Sequence, residues 1–272
     1  MELGRTRAAD PISRGHPGAV QRRTRAHYDR YPFGFDQEEI LAEQLERRVM
    51  GAAIRATKPE DLVLDVGCGA SRVARLVRRT SGARTVGLDL SLRSLRASRP
   101  AAPGPLVQGD NQHLPFRSAC ADLVISNGVI HHTPDARAAF HELARVLRPG
   151  GTLVVSVYDR RSWYYPVYRF AGGLVRGLRR VIGDAGLRIT VFPLFHLGLL
   201  VLLPLATRRR LFLPVATSWN LFHDQLTTPR ASFHDFYEIA RWAREAGLDC
   251  VEQRREAAYQ LATSRLRRAG AA

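Results

Sequence analysis

Between residues 62 and 158 the chain alternates two hydrophobic patterns. Short apolar runs at 62–66, 85–89, 106–109, 123–126 and 152–158 have the length of strands. Stretches at 71–80, 92–98 and 136–147 repeat their apolar positions every three or four residues, as one-sided helices do. This alternation predicts βαβ units and a mostly parallel sheet. Upstream, Ile40, Leu41, Leu45, Val49 and Ile54 recur at helical spacing, which predicts a lead-in helix after the aromatic stretch 28–35, itself interrupted by Pro32 and Gly34. Beyond Tyr158 the rhythm breaks. Residues 160–220 hold an arginine-flanked aromatic stretch and then an apolar run, 189–206, interrupted by Pro193, His196, Gly198 and Pro204. A helical pattern returns at 235–246, where Asp235 and Glu238 have capping-box spacing and Gly247 supplies the stop. Residues 248–253 and 259–263 are expected as closing strands that pair antiparallel at the sheet edge.

With 272 residues and 45% hydrophobic content, the chain can bury one main core with an embellishment. The formal charge of +16 raises the question of nucleic acid, because clustered cations bind phosphates by releasing counterions. Here Lys58 is the single lysine, and the arginines are spread along the chain instead of interleaved with aromatics on one element. Solvated arginines are therefore expected, with no specific nucleic-acid partner. Cys68, Cys120 and Cys250 are odd in number and lack the spacing of a disulfide framework or zinc site, so a reduced, cytoplasmic protein without metal is expected. The amino terminus, with Glu2 and no apolar segment, does not read as a secretory signal.

Candidate chemistry concentrates where apolar runs end. Asp65, Gly67, Cys68, Gly69 and Ser71 lie where the first run turns into a helix, and glycines there let backbone approach a ligand closely. A dinucleotide loop needs a third glycine three residues after Gly69, and Arg72 stands there instead, which weakens a pyrophosphate reading. Asp89 ends the second run, where a carboxylate can accept both hydroxyls of a ribose; the alternative is a cap for the helix starting near Ser91. Asp110, after the third run, can accept from an adenine amino group beside the amides of Asn111 and Gln112, or can close an Asx turn.

The ordered set LDVGCGAS, GLDLS, GDNQHLPF, ADLVISNGVIHH, RVLRPGG and TLVVSVY resembles the core of class I S-adenosylmethionine-dependent methyltransferases. It is most similar to the small-molecule branch that includes ubiquinone and menaquinone biosynthesis methyltransferases. The likeness covers roughly residues 61–158. It implies a doubly wound, Rossmann-like α/β fold: a mostly parallel seven-stranded sheet with an antiparallel edge strand and a helical insert after strand 5. The implied organisation is a flexible basic arm (1–20), an N-terminal helical lid (21–56), a cofactor-binding core (57–159), a helical, partly apolar cap (160–233) and a closing helix with strands (234–272). By the same resemblance, Asp65 and the Gly67, Cys68 and Gly69 backbone hold the methionine end of S-adenosyl-L-methionine. Asp89 takes the ribose, Leu90 flanks the adenine, Asp110 and Asn111 meet its edge, and Asn127 offers backbone near the methionine amine. Ser71 stands where the family frequently has a third glycine.

Methyl transfer from a sulfonium needs alignment and, for a protonated acceptor, a base. His131 and His132 follow the fourth apolar run, where one is a candidate base or both hold the loop by hydrogen bonds. Tyr28 and Tyr31 read as a lid over the site or as packing. Tyr158, Tyr164, Tyr165 and Tyr168 read as an acceptor pocket, which His223, Asp224 and His234 could also line. The apolar run 189–206 with its flanking arginines reads as a substrate lid or as an interfacial membrane element across 189–210. The expectation is transfer of a methyl group to a small, apolar or aromatic metabolite. A nucleic-acid methyltransferase and a noncatalytic cofactor-binding or membrane-peripheral protein are the alternatives.

Overall fold

Seven strands form one sheet in the order β3-β2-β1-β4-β5-β7-β6: β1 (Leu62–Val66), β2 (Arg84–Asp89), β3 (Leu106–Gln108), β4 (Ala121–Asn127), β5 (Leu147–Tyr158), β6 (Leu248–Glu256) and β7 (Leu261–Arg268). The computed structural model describes residues 17–32, 49–207, 214–256 and 261–269. β1 to β5 pair in parallel, and β7 runs antiparallel to both β5 and β6. The reversed strand therefore lies one place in from the edge. The helices are α1 (Pro17–Arg30), α2 (Val49–Arg55), α3 (Arg72–Thr80), α4 (Leu92–Ser98), α5 (Ala136–Val146), α6 (Tyr164–Thr190), α7 (Phe192–Thr207), α8 (Val215–Phe222) and α9 (Phe236–Glu245).

The central strands read as continuous apolar runs because both faces of the sheet are covered. Val63, Leu123, Ile125 and Val154 pack against Met50, Ile54, Val73 and Val77 of α2 and α3. Their neighbours Leu64, Val66, Val124 and Val155 point the other way, onto Phe140 and Leu143 of α5 and Trp242 of α9. The capping box forms as its spacing requires: the Asp235 side chain accepts from the Glu238 N–H at 3.0 Å and the Glu238 carboxylate accepts from the Asp235 N–H at 3.3 Å.

Two elements differ from the sequence reading. A helix not expected from the pattern comes first: Tyr28, at the start of the aromatic stretch, lies in the last turns of α1, which opens at Pro17, within the segment read as an arm. His27 and Arg30 in its last turn suit the negative end of the helix dipole. Of the 40–54 helical pattern only the part in α2 falls among the described residues; residues 1–16 and 33–48 lie outside them. β7 continues to Arg268, five residues past the expected end, because pairing on both sides outweighs the polarity of Arg265, Arg267 and Arg268. The segment between β5 and α9 is helical, with α6 broken at Gly183 (φ 64°, ψ −172°). The inner side of α6 sets Tyr164 and Tyr168 against Tyr158 and Phe233. Val175, Leu187, Phe192 and Phe222 form a second cluster within the helical segment.

Candidate active site

β1 has β2 on one side and β4 on the other, so the chain changes direction across the sheet there and opens a crevice at the strands' carboxyl ends. The loop that fills it is shaped by its glycines. Gly67 (φ 83°) takes a left-handed conformation, and a Cβ there would meet Val129 Cγ2 at 2.3 Å. The Gly67 and Cys68 N–H groups donate to the Leu88 carbonyl at 2.7 and 2.9 Å, and the Gly69 N–H donates to Asp89 Oδ2 at 2.8 Å. Asp89 Oδ1 accepts from the Ser91 N–H at 2.8 Å. The cap of α4 is Ser91, whose side chain accepts from the Ser94 N–H, so Asp89 is not the cap; its carboxylate joins the glycine loop to the end of β2.

Two buried polar atoms in this loop have no partner, Asp65 Oδ2 and Ser71 Oγ. Burial, reinforced by the nearby Asp89 charge, pushes the Asp65 carboxyl up to about 7, against the opposing hydrogen bond from the Ala74 N–H. Burial likewise raises Asp89. Two carboxyls beside one loop repel an anionic pyrophosphate. A ligand with an ammonium group supplies the partner that Asp65 Oδ2 lacks, and one with a ribose uses the remaining lone pairs of Asp89. The residues therefore fit S-adenosylmethionine. Because the bound ammonium favours ionised Asp65, affinity for the cofactor is expected to fall about tenfold per pH unit below about 7 and to level off above it. Calorimetry from pH 5.5 to 8.5 measures this, and Asp65→Asn should flatten the profile; a level profile in the parent chain rejects the assignment.

Farther along the crevice, Asp110 closes the Asx turn. Its Oδ1 accepts from the Gln112 N–H at 3.0 Å and its Oδ2 lies 3.3 Å from His113 Nδ1. Asn111 is buried, Leu90 is half-buried, and the Leu90 carbonyl accepts from Gln108 Nε2 at 3.2 Å. Asn127 ends β4 opposite Ser156, followed by the positive-φ Gly128.

Next to the loop, after the ends of β4 and β5, lies a buried aromatic cluster. The Tyr158 ring stands 3.9 Å from His131, 5.4 Å from His132 and 5.0 Å from Tyr164, measured between centroids. Tyr28 reaches in from α1, its ring 5.9 Å from His132 and its hydroxyl donating to Asp224 Oδ1 at 3.2 Å. Burial raises the Tyr28 phenol well above its usual range, and the charges of Asp224 and, less strongly, Asp89 add to this. The two histidines differ. The Arg230 carbonyl lies 2.8 Å from His132 Nδ1; a carbonyl only accepts, so Nδ1 carries the hydrogen and Nε2 the lone pair. Both ring nitrogens of His131 are buried without a partner, and its backbone carbonyl holds the Ser232 N–H at 2.8 Å. Burial lowers both imidazoles, His131 more strongly, and Asp224 partly offsets the shift at His132.

One of the expected pocket residues, Tyr31, lies in a different set of contacts, whereas the His234 N–H donates to the Tyr158 carbonyl at 2.9 Å. Tyr31 stacks on His223 at 3.6 Å and donates to Asp184, in a cluster with Arg179. His234 Nε2 is 2.8 Å from Ser232 Oγ, and its ring packs on Trp242 at 5.0 Å. Sequence reasoning missed Asp29 and Arg230. Ser91 Oγ donates to Asp29 Oδ1 at 2.6 Å, docking α1 on the cofactor loop; both residues act across more than 60 positions of chain, a separation without local signal. Asp224 sits in the π-helical turn His223–Thr227, which follows α8 and turns the carboxylate inward. Among the described residues no group of three or more His, Cys, Asp or Glu could hold a metal ion.

A mostly parallel sheet with a glycine loop, a ribose-ready carboxylate and an ammonium-ready carboxylate defines an α/β protein whose site fits a nucleoside cofactor with an amino-acid end. Residues 64–155 match the family model described as a methyltransferase domain. The chain is 31% identical over 121 residues to a demethylmenaquinone methyltransferase of Streptomyces griseus, covering 44% of this chain and 52% of that protein. It is 39% identical over 104 residues to a probable tRNA methyltransferase 9B of Mus musculus, covering 37% and 22%. The fold resembles the solved Burkholderia thailandensis 1,6-didemethyltoxoflavin-N1-methyltransferase with bound 1,6-didemethyltoxoflavin and S-adenosylhomocysteine (TM-score 0.56, 17% identity, 96% of this chain and 93% of that one). Residues 64–155 thus match a methyltransferase domain, the fold is shared with solved methyltransferases, and the residues of the site fit S-adenosylmethionine as cofactor. The chain spans about half or less of the length of these curated relatives.

Proposed function

We propose that this protein transfers the methyl group of S-adenosylmethionine by in-line displacement to a small, apolar or aromatic metabolite held at the aromatic cluster of Tyr28, His132, Tyr158 and Tyr164. The observation that carries the reading is the tautomer of His132, which leaves a neutral Nε2 lone pair among buried aromatic rings and beside the Asp224 carboxyl. Asp65, the Gly67, Cys68 and Gly69 backbone and Asp89 hold the cofactor, with Leu90, Asp110, Asn111 and Asn127 toward its adenine and amine ends. The bound cofactor supplies an electrophilic methyl group already activated by the sulfonium charge. His132 accepts the acceptor's proton at Nε2, and Asp224 stabilises the resulting imidazolium. Tyr28 holds Asp224 in place through its hydroxyl. His131 supports the ring stack and the loop.

The tRNA methyltransferase relative favours a second reading, an RNA acceptor. Incubating the chain with radiolabelled S-adenosylmethionine and a cell extract separates the two. Label in an organic-extractable product, identified by mass, is the expected result. Label confined to the RNA fraction and lost on ribonuclease treatment supports the second reading and overturns the first.

A further inference from the structure

We propose that the outer face of α6 and α7 is a docking surface for an anionic lipid bilayer. Trp163, the N-cap residue of α6, and Phe170, Leu174 and Val181 within the helix are between 66 and 82% exposed. Their separations of seven, four and seven residues put them on one stripe of the helix. Tyr164, Tyr168, Gly172 and Val175, on the opposite side, are buried against the aromatic cluster and the helical cluster. α7 repeats the arrangement: Phe192 is buried, whereas Leu194, Leu197 and Val201 are at least half exposed at helical spacing. A helix side that meets only water is ordinarily polar, and isolated exposed apolar residues do not line up in this way.

Charge selects the occupant. Residues 160–213 contain ten arginines and a single acid, Asp184. That acid is already engaged by Arg179 and Arg30. Arg161, Arg169, Arg180 and Arg188 lie on exposed positions alongside the stripe. Anionic headgroups complement this surface, and Trp163 has the amphipathic ring that settles at a membrane interface. A second copy of the chain would set two arginine-rich faces against each other. Among the described residues no single helix is long and apolar enough to cross a membrane, and the α6–α7 pair that could do so by length and composition is bent by 42°. The surface therefore lies in the interface instead of spanning it.

The test uses the whole chain and floats it with vesicles of phosphatidylcholine alone or of phosphatidylcholine with one third phosphatidylglycerol. Binding to the mixed vesicles is expected at roughly ten times the level on the neutral ones, weakening as salt rises. Leu174→Glu/Leu197→Glu should lower that binding roughly tenfold or more, and Arg161→Glu/Arg180→Glu should remove the preference for anionic vesicles. These side chains are exposed, and unchanged cofactor affinity certifies that each variant is folded. Failure of the parent chain to bind either vesicle, or equal binding by the Leu174→Glu/Leu197→Glu variant, overturns the proposal. So does a parent dimer that this variant splits without any vesicle binding, which assigns the face to a second copy. None of these readouts depends on methyl transfer or on the acceptor's identity.

Discussion

His132→Gln is expected to lower turnover by about 10²- to 10⁴-fold, the range a positioned general base contributes, or about 3–5 kcal/mol of barrier. Glutamine keeps roughly the reach of the ring and can donate to the Arg230 carbonyl as Nδ1 does. It has no nitrogen lone pair able to take a proton. The effect should therefore fall on kcat, with cofactor affinity in calorimetry unchanged. The parent enzyme should hold its rate below the pH at which an ordinary imidazole protonates, because burial lowers His132 and keeps Nε2 free. Activity of His132→Gln within threefold of the parent, on the acceptor found in the extract, would falsify the base assignment and point to an acceptor that needs no proton removed.

Gly67→Ala should both destabilise the fold and remove cofactor binding. A left-handed φ of 83° costs an alanine about 1–2 kcal/mol. The new Cβ would also stand 2.3 and 2.5 Å from the two Val129 methyls, and overpacking of this kind costs about 1–3 kcal/mol. The sum, about 2–5 kcal/mol, corresponds to a fall in Tm of roughly 5–20 °C for a chain of this size. Gly82→Ala is the control, since its φ is similarly positive at 71° but nothing lies within 4 Å of the added Cβ; it should show the backbone part alone. Val129→Ala should restore a share of the stability of Gly67→Ala, because the two side chains meet, and a double-mutant cycle reads that coupling. Simple additivity of the two changes would mean that the loop does not approach Val129 as described.

The Rossmann-like core was legible because its pattern is local. The apolar runs at 62–66 and 123–126 and the three- and four-residue repeats of α3 and α5 each report on one element. The covering of the sheet on both faces explains why the runs are continuous. The capping box at Asp235 and Glu238 was equally readable, since both partners lie within one helical turn. Longer-range pairing was not. The sequence pattern ends the last strand at Thr263, whereas β7 runs on through Arg265, Arg267 and Arg268. Their strand lies between two others, with backbone bonds on both sides. The acceptor side was legible only as a set of residue types: Tyr28 and Tyr31 are three positions apart and read alike, yet only Tyr28 turns toward His132.

By itself the sequence determined the alternating α/β core, the glycine loop with Asp65 and Asp89 at strand ends, and the preference for a cofactor without a pyrophosphate. These follow from spacing within one strand–turn–helix unit, where chain connectivity already sets the geometry. Only the tertiary structure decided which histidine carries a directed lone pair, that Asp89 joins the loop instead of capping α4, and that α1 brings Tyr28 to Asp224 and His132. The physical reason is that a tautomer, a buried charge and a ring stack are each set by partners far away in the chain: Arg230 lies 98 residues from His132 and Asp224 lies 196 from Tyr28. No window of sequence contains both members of such a pair.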